Sequence, residues 1–481
     1  MRISSIADLA KAVEEAGCPV EIKGRSDSLL GPDVCIDSRQ VTNGSIFVAL
    51  KGERVDGHDY VRSAYEAGAS LACVSYPVDC EIDQMVASSG DSLDLLAAIA
   101  HVTVEKERSR QMKTIAITGS SGKTTTKDLL AHILSGEGRT VAPIGSFNNE
   151  IGTPLTACEV DEQTRFLISE MGARGVGHIA HLCRIVTPDI AVVVNIGQAH
   201  VGEFGSVQMT AQAKGEIYEA LDDDGWAVIN ADDEQVRSLA SRTRGRIAQF
   251  SIGSCPPIDD RVEAIFGASD LEADDQARYR FIWTCPQGQW PISLLVSGRH
   301  QVSNALAAAS CAYLAGVDPK KIAERLSTAH LNSSWRMDVH KCDNGTVIVN
   351  DAYNANPDSM KAAIETVASM KYAAKEHSLR LIAVLGDMLE LGEQSSNAHR
   401  QIGKLCAQMG VDELITVGRY AADLCEGAVG EKAGMVAYQR EKDEIIQAVN
   451  LRPGDIVVVK ASRSMGLEQI AQALIEREAV R

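Results

Sequence analysis

A glycine-rich segment between a strand pattern and a helix pattern constrains the fold of this chain more than any other feature. The segment reads KTIAITGSSGKTTTKDLLAHILSGEG: β-prone residues lead into the glycines, and Leu129, Leu130 and Ile133 then recur at helical spacing. Strand, glycine loop and helix in this order form the context of a phosphate-binding loop. Glycines allow backbone N–H groups to turn toward phosphate oxygens, and the helix N-terminus adds a partial positive charge. We therefore predict that the segment binds ATP or GTP.

The residues of this predicted loop have distinct roles. In loops of this kind a lysine at the position of Lys123 reaches the β- and γ-phosphates, and a hydroxyl at the position of Thr124 binds Mg²⁺. The strict GxxxxGK[ST] pattern is not met, because Ile117 stands at its first glycine, so the shorter GxxGKTT form remains. The alternative is an ordinary glycine turn between a strand and a helix. The predicted nucleotide-binding residues are Gly119, Ser120, Ser121, Gly122, Lys123, Thr124 and Thr125.

Buried-strand runs alternate with helical patterns over most of the chain, which is typical of an α/β fold with parallel sheets. Residues 1–108 contain the short runs IFVAL and LACVSY, and residues 109–330 contain KTIAIT, RFLIS, DIAVVVN and GWAVIN. The alternation resumes over residues 331–481 with TVIVN, RLIAVLG, ELITVG and DIVVVK. Because 481 residues suit about three domains, we predict three α/β domains over these ranges.

Two segments differ from this alternation. SLDLLAAIAHVTVEKERSRQMK is predicted to be a helix that ends in charge and leads into the central domain. Residues 254–296 contain Pro256-Pro257, an acidic, turn-rich stretch and a predicted hairpin, RFIWTC-PQGQ-WPISLL. We therefore expect the strand–helix alternation of the central domain to be interrupted there.

Charge and composition exclude several classes of protein. Lys and Arg total 47 against 65 Asp and Glu, and this net charge of −18 argues against general binding to nucleic acid or anionic lipid. No uncharged apolar run approaches the ~18 residues of a membrane span, and the N-terminal segment has an amphipathic helical pattern instead of a signal peptide's. The twelve cysteines are scattered without a CxxC pair, so we expect them to be reduced, in the cytoplasm.

Polar residues follow the predicted central strands at their carboxyl ends, where ligands collect in open α/β sheets. Glu170 directly follows FLIS, Asn195 lies at the end of the next predicted strand, and His200 lies just after it. A carboxylate and an imidazole near a phosphate loop suit Mg²⁺ and its bound waters. Lys214 lies on the helix after His200. Taken singly, these residues have alternative interpretations: a surface acid, a core histidine and a solvated lysine.

Further motifs along the chain resemble those of the Mur ligase family. They include DSRQVTNGSIFVALKGERVDGHDY, GSFNNEIGTPLT, EMGARGVGHI, NIGQAHVGEFGS, AKGEI, GRHQVSNALAAA, NDAYNANPDSM, LGDMLELG and VVVKASRSM, in family order. The resemblance implies an N-terminal domain for a UDP-sugar, a central P-loop ATPase domain with a parallel sheet, and a C-terminal Rossmann-like domain. It also implies an enzyme that transfers the γ-phosphate of ATP to a carboxylate, after which an amine displaces phosphate.

Within the family, the motifs imply a ligase of peptidoglycan precursor synthesis that uses ATP and Mg²⁺ to join D-alanyl-D-alanine to a UDP-N-acetylmuramoyl-tripeptide. We expect a monomer. The rivals are a sibling ligase that adds a diamino acid and a folylpolyglutamate-type ligase. The DNPR-like segment of the diamino-acid ligase is absent, and NANPDSM favours the dipeptide-adding enzyme. A P-loop NTPase without ligase chemistry is the alternative from another class.

The resemblance also implies roles for individual residues. Metal binding is implied for Thr124, Glu170, His200 and Lys214, the last as a carbamate that supplies an anionic oxygen. Catalytic roles are implied for Lys123, Glu170, His200 and Lys214. ATP contacts are implied for Asn304, Arg336 and Asp351. Substrate contacts are implied for Ser38, Arg39, Asn148, Asn149, Tyr353, Asn354 and Asn356.

Four positions depart from the family pattern: Ser146 and Gln301 replace asparagines, and Trp335 and Ala461 replace glycines. A bulky ring at position 335 changes backbone freedom and access next to Arg336, and it can stack on an adenine or on a guanidinium. Without the resemblance, DSR is interpreted as an Asx turn and NANP as a capping turn before a helix.

Overall fold

The computed structural model describes residues 5–197, 206–253, 255–373, 379–429 and 435–479. These residues form three α/β units, each built on its own sheet, of five, nine and six strands in chain order. The α/β class and the three-sheet architecture are therefore confirmed, while the domain boundaries at residues 108 and 330 stay predictions.

The first unit contains the two strands predicted for it and a capped N-terminal helix. Its strands are β1 (Val20–Lys23), β2 (Val34–Cys35), β3 (Ile46–Val48), β4 (Leu71–Val74) and β5 (Gln84–Ala87), and its α-helices are α1 (Ile6–Glu15), α2 (Val61–Glu66) and α3 (Ser92–Arg108). The strand order is β1-β5-β4-β3-β2, parallel except between β1 and β5. Ser5 and Asp8 form a capping box that begins α1. The predicted helix before the central unit is α3.

The second unit is the largest and contains the glycine loop. Its strands are β6 (Lys113–Thr118), β7 (Arg139–Val141), β8 (Thr164–Glu170), β9 (Ile190–Val193), β10 (Trp226–Asn230), β11 (Arg246–Ile252), β12 (Val262–Ala273), β13 (Arg278–Cys285) and β14 (Gly288–Ser297). Its α-helices are α4 (Lys123–Ser135), α5 (Gly152–Cys158), α6 (His178–Ile185), α7 (Val207–Glu219), α8 (Glu234–Ser238), α9 (His300–Leu314) and α10 (Pro319–Leu326). All four strands predicted here are present.

The central sheet has the order β14-β13-β12-β11-β10-β9-β6-β8-β7. Strands β7 to β12 are parallel, and the predicted hairpin is β13–β14, which continues the sheet in antiparallel fashion. The expectation of an acidic, turn-rich interruption is wrong for β12, which pairs with β11. Only alternate residues of its first half, such as Ala264, Phe266 and Ala268, are buried, so no continuous apolar run marks this strand.

The third unit resumes the alternation of strands and helices as predicted. Its strands are β15 (Asp338–Lys341), β16 (Val347–Asn350), β17 (Leu381–Leu385), β18 (Glu413–Thr416), β19 (Val436–Gln439) and β20 (Ile456–Lys460), and its α-helices are α11 (Pro357–Ala373), α12 (Ser395–Gln408), α13 (Ala421–Ala428), α14 (Lys442–Ala448) and α15 (Glu468–Ala479). The order is β15-β16-β20-β17-β18-β19, with β15 alone antiparallel. β15 and β19, whose residues are mostly half-buried or exposed, were not predicted.

Two expectations from composition concern the whole chain. All twelve cysteines are free, as expected. Across the described ranges, no helix combines the length and the apolar character that crossing a membrane requires.

Candidate active site

A cavity of about 1200 Å³ lies where the three units meet. Its walls come from the loop after β6, the carboxyl ends of β8 and β9, the start of α9, and the segments that follow β16 and β20. The N-terminal unit contributes Ile36, Asp37 and Gln40. Because ligands of open α/β sheets collect at the carboxyl ends of strands, this cavity is the candidate active site.

The glycine loop lies in this cavity between β6 and α4. Gly122 precedes α4 with a φ of 78°, in the left-handed region that favours glycine. A Cβ atom at this position would lie 2.3 Å from Oδ1 of Asn304 on α9. The absence of a side chain at Gly122 therefore allows Asn304 to approach the loop, and two predicted nucleotide-binding residues lie side by side.

Asn195, just beyond β9, ties the loop to the neighbouring strand. Its Oδ1 accepts a hydrogen bond of 2.9 Å from the backbone N–H of Ser121, and its Nδ2 donates to the Ser121 hydroxyl at 2.8 Å. The Ser120 N–H donates to the Asn195 carbonyl oxygen at 3.0 Å. The loop is thus held in one conformation by a residue that the strand-end argument had singled out.

Lys123 is the first residue of α4, and its Nζ donates a hydrogen bond of 2.7 Å to the Gly119 carbonyl oxygen. Burial lowers the pKa of Lys123, the Glu170 carboxylate opposes this shift, and the positive charge of Arg336 adds to it. Two cationic side chains from different units therefore approach one another at the loop. A bound anion at this place would favour the charged form of the lysine.

Glu170 ends β8 and its side chain is buried, with 1% of the residue exposed. The Asn148 Nδ2 donates a hydrogen bond of 2.7 Å to Oε1 of Glu170. Within the described ranges, its other oxygen, Oε2, is buried without a hydrogen-bond partner. The surface-acid interpretation is wrong, and a buried carboxylate oxygen that lacks a donor is suited to a cation.

Lys214 lies on α7 and is also 1% exposed, so the interpretation as a solvated lysine is wrong. Burial lowers its pKa well below the usual value, and the charge of Lys123 lowers it further. The side chain is therefore favoured as a neutral amine, which is nucleophilic.

The oxygen atoms at the glycine loop are suited to binding a magnesium ion. Among the residues that the structure describes, no three His, Cys, Asp or Glu side chains converge on a metal position. The Thr124 hydroxyl in the first turn of α4 and Oε2 of Glu170 are oxygen ligands of the kind that Mg²⁺ prefers. His200 lies outside the described residues.

Asp351 and Arg336 enter the cavity from the third unit. Asp351 Oδ1 accepts a hydrogen bond of 2.9 Å from the Met337 N–H, and Oδ2 forms a buried ion pair of 2.7 Å with Lys460 Nζ. Lys460 was not predicted as a site residue, although it ends DIVVVK at β20 and the strand-end argument applies to it. Nε of Arg336 is buried without a partner in the described chain, and its guanidinium lies 4.0 Å from the Tyr353 ring centroid.

Trp335, at a position where the family pattern has glycine, has a φ of 61°. A side chain is rarely accommodated in this left-handed conformation. The guanidinium of Arg463 lies over the Trp335 ring, 4.3 Å from its centroid. The ring therefore stacks with a guanidinium, although it is that of Arg463 and not that of its neighbour Arg336, which lies over the Tyr353 ring.

The predicted substrate residues have several placements. The Ser146 hydroxyl and the Tyr353 phenol form a hydrogen bond that joins the second unit to the third. Asn148, Asn149, Tyr353, Asn354 and Asn356 line the cavity. Asn149 also accepts a hydrogen bond of 2.8 Å from the Gly152 N–H, and Asn356 accepts one of 2.8 Å from the Ser359 N–H, which is the capping turn that NANP indicates.

Ser38 and Arg39 are not among the residues that line the cavity. Asp37 accepts a hydrogen bond of 3.0 Å from the Arg39 N–H, which is the Asx turn considered for DSR. The Arg39 guanidinium, 87% exposed, is ion-paired with the same carboxylate at 2.6 Å. The cavity does receive most other predicted residues: Ser120, Ser121, Gly122, Lys123, Thr124, Thr125, Glu170, Lys214, Asn304, Arg336 and Asp351.

Three family models match consecutive parts of the chain. The model described as Mur ligase family, catalytic domain, matches residues 33–116. The Mur ligase middle domain matches residues 117–312, and the Mur ligase, glutamate ligase domain, matches residues 335–463.

Individual proteins are similar over nearly the whole chain. The UDP-N-acetylmuramoyl-tripeptide–D-alanyl-D-alanine ligase of Mycobacterium bovis is 35% identical over 98% of this chain and 97% of its own length. A crystal structure of MurF from Acinetobacter baumannii has a TM-score of 0.83 at 30% identity and covers 97% of this chain and 98% of its own. MurF ligase from Thermotoga maritima in complex with ADP has a TM-score of 0.78 at 26% identity and covers 93% and 98% respectively.

Proposed function

The chain belongs to the Mur ligase family, and from that premise we propose that it joins D-alanyl-D-alanine to a UDP-N-acetylmuramoyl-tripeptide in peptidoglycan precursor synthesis. It is an ATP-dependent ligase of this family. The observation that carries the proposal is one cavity in which Lys123, Tyr353 from the third unit and a Glu170 oxygen without a partner among the described residues meet. Both substrates and ATP are cytoplasmic compounds, so we place the reaction in the cytoplasm.

The loop and its lysine account for the first step, in which the substrate carboxylate attacks the γ-phosphorus of ATP. An acyl phosphate and ADP are formed, and negative charge moves along the line of transfer. Lys123 stabilises the transferring phosphoryl group, and the backbone amides of residues 119–125 hold the phosphates. Arg336, which approaches Lys123 closely enough to lower its pKa, supplies a second positive charge from the third unit.

Thr124 and Glu170 would hold magnesium beside the phosphates, and His200 and a carbamylated Lys214 would hold a second ion. When bound, Mg²⁺ neutralises phosphate charge and polarises the γ-phosphoryl group. A neutral Lys214 amine reacts with carbon dioxide to give a carbamate, with loss of one proton. The carbamate supplies anionic oxygens in a site where burial disfavours an ammonium group.

The second step is attack of the dipeptide amine on the acyl carbon, followed by loss of phosphate and a proton. Water competes with the amine, so the cavity has to exclude it while the acyl phosphate exists. The hydrogen bond between Ser146 and Tyr353 joins the second and third units at the cavity. We assign binding of the UDP-tripeptide to residues 1–108, binding of ATP to residues 109–330 and binding of the dipeptide to residues 331–481.

The remaining contacts follow the same division. We assign Asn304, which lies beside Gly122, to the adenine. We assign Asp351, whose charge is balanced by the ion pair with Lys460, to the ribose. We assign Ser38 and Arg39 to the uridine nucleotide. On binding, the Arg39 guanidinium would leave its ion pair with Asp37 and bind the pyrophosphate. Asn148, Asn149, Tyr353, Asn354 and Asn356 are assigned to the peptide substrates.

The test is phosphate release from ATP with each substrate omitted in turn, together with the mass of the product. We expect release only when ATP, Mg²⁺, the UDP-tripeptide and D-alanyl-D-alanine are all present, and a product that contains both peptides. Release without the amine would support the NTPase alternative. Release driven by a diamino acid with the UDP-dipeptide, or by glutamate with a folate, would support one of the rival ligases.

A further inference from the structure

Two cationic and two aromatic side chains form a column in the third unit, and three of them, Arg336, Tyr353 and Arg463, line the cavity. The Arg336 guanidinium lies 4.0 Å from the Tyr353 ring centroid, and the Arg463 guanidinium lies 6.0 Å from the same centroid. Arg463 in turn lies 4.3 Å from the centroid of Trp335. Rings beside a guanidinium fix its plane and leave its N–H edge available for an anion.

Arg463 is the exposed member of this column that faces solvent in the cavity. Its side chain is 48% exposed, and one nitrogen, Nη1, lies 2.8 Å from Oε1 of Glu468. In the described parts of the chain, Glu468 is the one carboxylate at ion-pair distance from Arg463. A guanidinium has five N–H donors, so this contact leaves donors that can receive a second carboxylate.

The terminal carboxylate of the proposed amine substrate requires a binding partner in the cavity. D-alanyl-D-alanine attacks through its amine and carries a carboxylate at the other end, about 7 Å away when extended. A buried or half-buried carboxylate needs a cation or several N–H donors. The inference therefore rests on the proposed function and concerns how that same site selects its dipeptide.

Most cations of the cavity are already engaged. Lys123 and Arg336 line the cavity at the phosphate loop, and the proposed function assigns Lys214 to a metal ion. Lys460 is ion-paired with Asp351 in the buried wall. None of these four is available to an incoming carboxylate without a loss elsewhere.

Arg174 and Arg463 remain, and they lie in different units. Arg174 follows β8 and precedes α6, the helix that packs against α3 of the N-terminal unit. Arg463 directly follows Ser462, whose hydroxyl accepts a hydrogen bond of 2.9 Å from the N–H of Leu389, a half-exposed apolar residue of the cavity wall. A cation next to a small apolar surface suits an alanine carboxylate, which carries a methyl group.

We propose that the Arg463 guanidinium binds the terminal carboxylate of the incoming dipeptide and that Trp335 is the residue that positions it. The replacement of a glycine by tryptophan at a left-handed position is then explained, because the ring supports Arg463. Leu389 contacts the terminal methyl group, and the amine end is directed toward the phosphate loop.

The test compares D-alanyl-D-alanine with D-alanyl-D-alaninamide, which keeps the amine and lacks the negative charge. For the wild type we expect kcat/KM to be about 100-fold higher with the acid than with the amide. In Arg463→Met this preference falls to nearly one, because kcat/KM for the acid drops and that for the amide does not. The KM for ATP is unchanged, which separates this role from a contact with phosphate.

The role of Trp335 is tested by comparing a variant that lacks an aromatic ring with one that keeps a ring. Trp335→Leu is expected to raise the KM for the acid by about 5-fold with little change in kcat, and Trp335→Phe to restore most of the loss. Arg440→Met is the matched control, since Arg440 lies 4.4 Å from the Tyr438 ring centroid on the same sheet but outside the cavity. We expect it to keep the wild-type preference.

Three results would overturn the inference: a wild type that uses the amide as well as the acid, an Arg463→Met enzyme that keeps the preference, or a loss confined to the KM for ATP. In each case turnover of the wild type with D-alanyl-D-alanine leaves the proposed function intact, whereas no turnover contradicts that function itself. If Arg463→Met does not fold, Arg463→Gln decides, because it keeps a polar side chain and loses the positive charge; an unchanged preference for the acid would again contradict the inference.

Discussion

The side-chain nitrogen of Asn148 donates a hydrogen bond of 2.7 Å to Oε1 of Glu170, the carboxylate that ends β8. The family resemblance implies a substrate contact for this asparagine, and the structure gives it a second partner. One oxygen of Glu170 is thereby fixed, and the other is left without a donor in the described chain. Residues that orient a metal ligand in this way have measurable effects on metal affinity.

Replacement of Asn148 by alanine should therefore weaken magnesium binding. We expect the Mg²⁺ concentration that gives half-maximal activity to rise about 10-fold, because the Glu170 carboxylate loses its orienting donor. Titration of activity with Mg²⁺ measures this. Asn149→Ala is the control: its side chain caps the Gly152 N–H, so it should lower the melting temperature and leave the metal dependence unchanged. A rise only in the KM for the UDP-tripeptide would contradict this role for Asn148.

The contact between Ser146 and Tyr353 predicts a coupled pair of substitutions. Ser146→Ala and Tyr353→Phe each remove the hydrogen bond that joins two units, and each should lower kcat/KM about 3- to 10-fold. The double variant should be no worse than either single one, since the same bond is lost. Tyr353→Phe keeps the ring that stacks with Arg336. Additive losses would mean that the two hydroxyls act separately.

Lys214 should be modified by carbon dioxide. We expect activity to fall in bicarbonate-free buffer and to return with bicarbonate, and peptide mapping to place the added mass on Lys214. Lys127 is the internal control, because it is equally buried but ion-paired with Asp128. Lys214→Ala should lose about two orders of magnitude in kcat and regain part of it with a short carboxylic acid. Indifference to bicarbonate together with a fully active alanine variant would contradict the carbamate.

His300 should make the protein less stable in acid. Burial lowers the pKa of His300 from 6.5 to about 4, with Asp351 opposing the shift and Lys460 adding to it. Between these values the unfolded chain binds a proton that the folded protein does not, so stability falls as pH decreases, by at most about 1.4 kcal/mol per pH unit. His300→Gln removes this contribution. The fall in melting temperature from pH 7 to pH 5 should be smaller in the variant, and an equal fall would contradict the shift.

Much of the fold follows from local pattern, and the exceptions have a physical cause. The fully buried strands of the second and third units, such as β6, β9, β17 and β20, are continuous apolar runs that the sequence displays directly. β12 has one buried face, and its exposed positions include Glu263 and Asp270, so the composition of this strand resembles that of a loop. Its partner β11 supplies the hydrogen bonds that make it a strand.

The site was predictable where it depends on strand ends and not where it depends on distant pairs. Glu170 and Asn195 follow buried strands, and this position alone brings them to the loop. Ser146 and Tyr353 are 207 residues apart and lie in different units, so only the packing of the two units reveals their contact. Lys460 and Asp351 are 109 residues apart but lie at the carboxyl ends of the paired strands β20 and β16, so strand ends do account for their contact. A substrate contact for Arg39 was implied by the family resemblance, and in the structure its guanidinium is ion-paired with its neighbour Asp37.

The central claim is that the loop at residues 119–125 hands the γ-phosphoryl group of ATP to a substrate carboxylate. Its most direct test uses UDP-N-acetylmuramoyl-tripeptide labelled with ¹⁸O in the reacting carboxylate, with isotope analysis of the phosphate released during ligation. We predict that each phosphate carries one labelled oxygen from the carboxylate and that Lys123→Ala forms no labelled phosphate. Phosphate without the label, or label found in AMP, would contradict an acyl-phosphate mechanism at this loop.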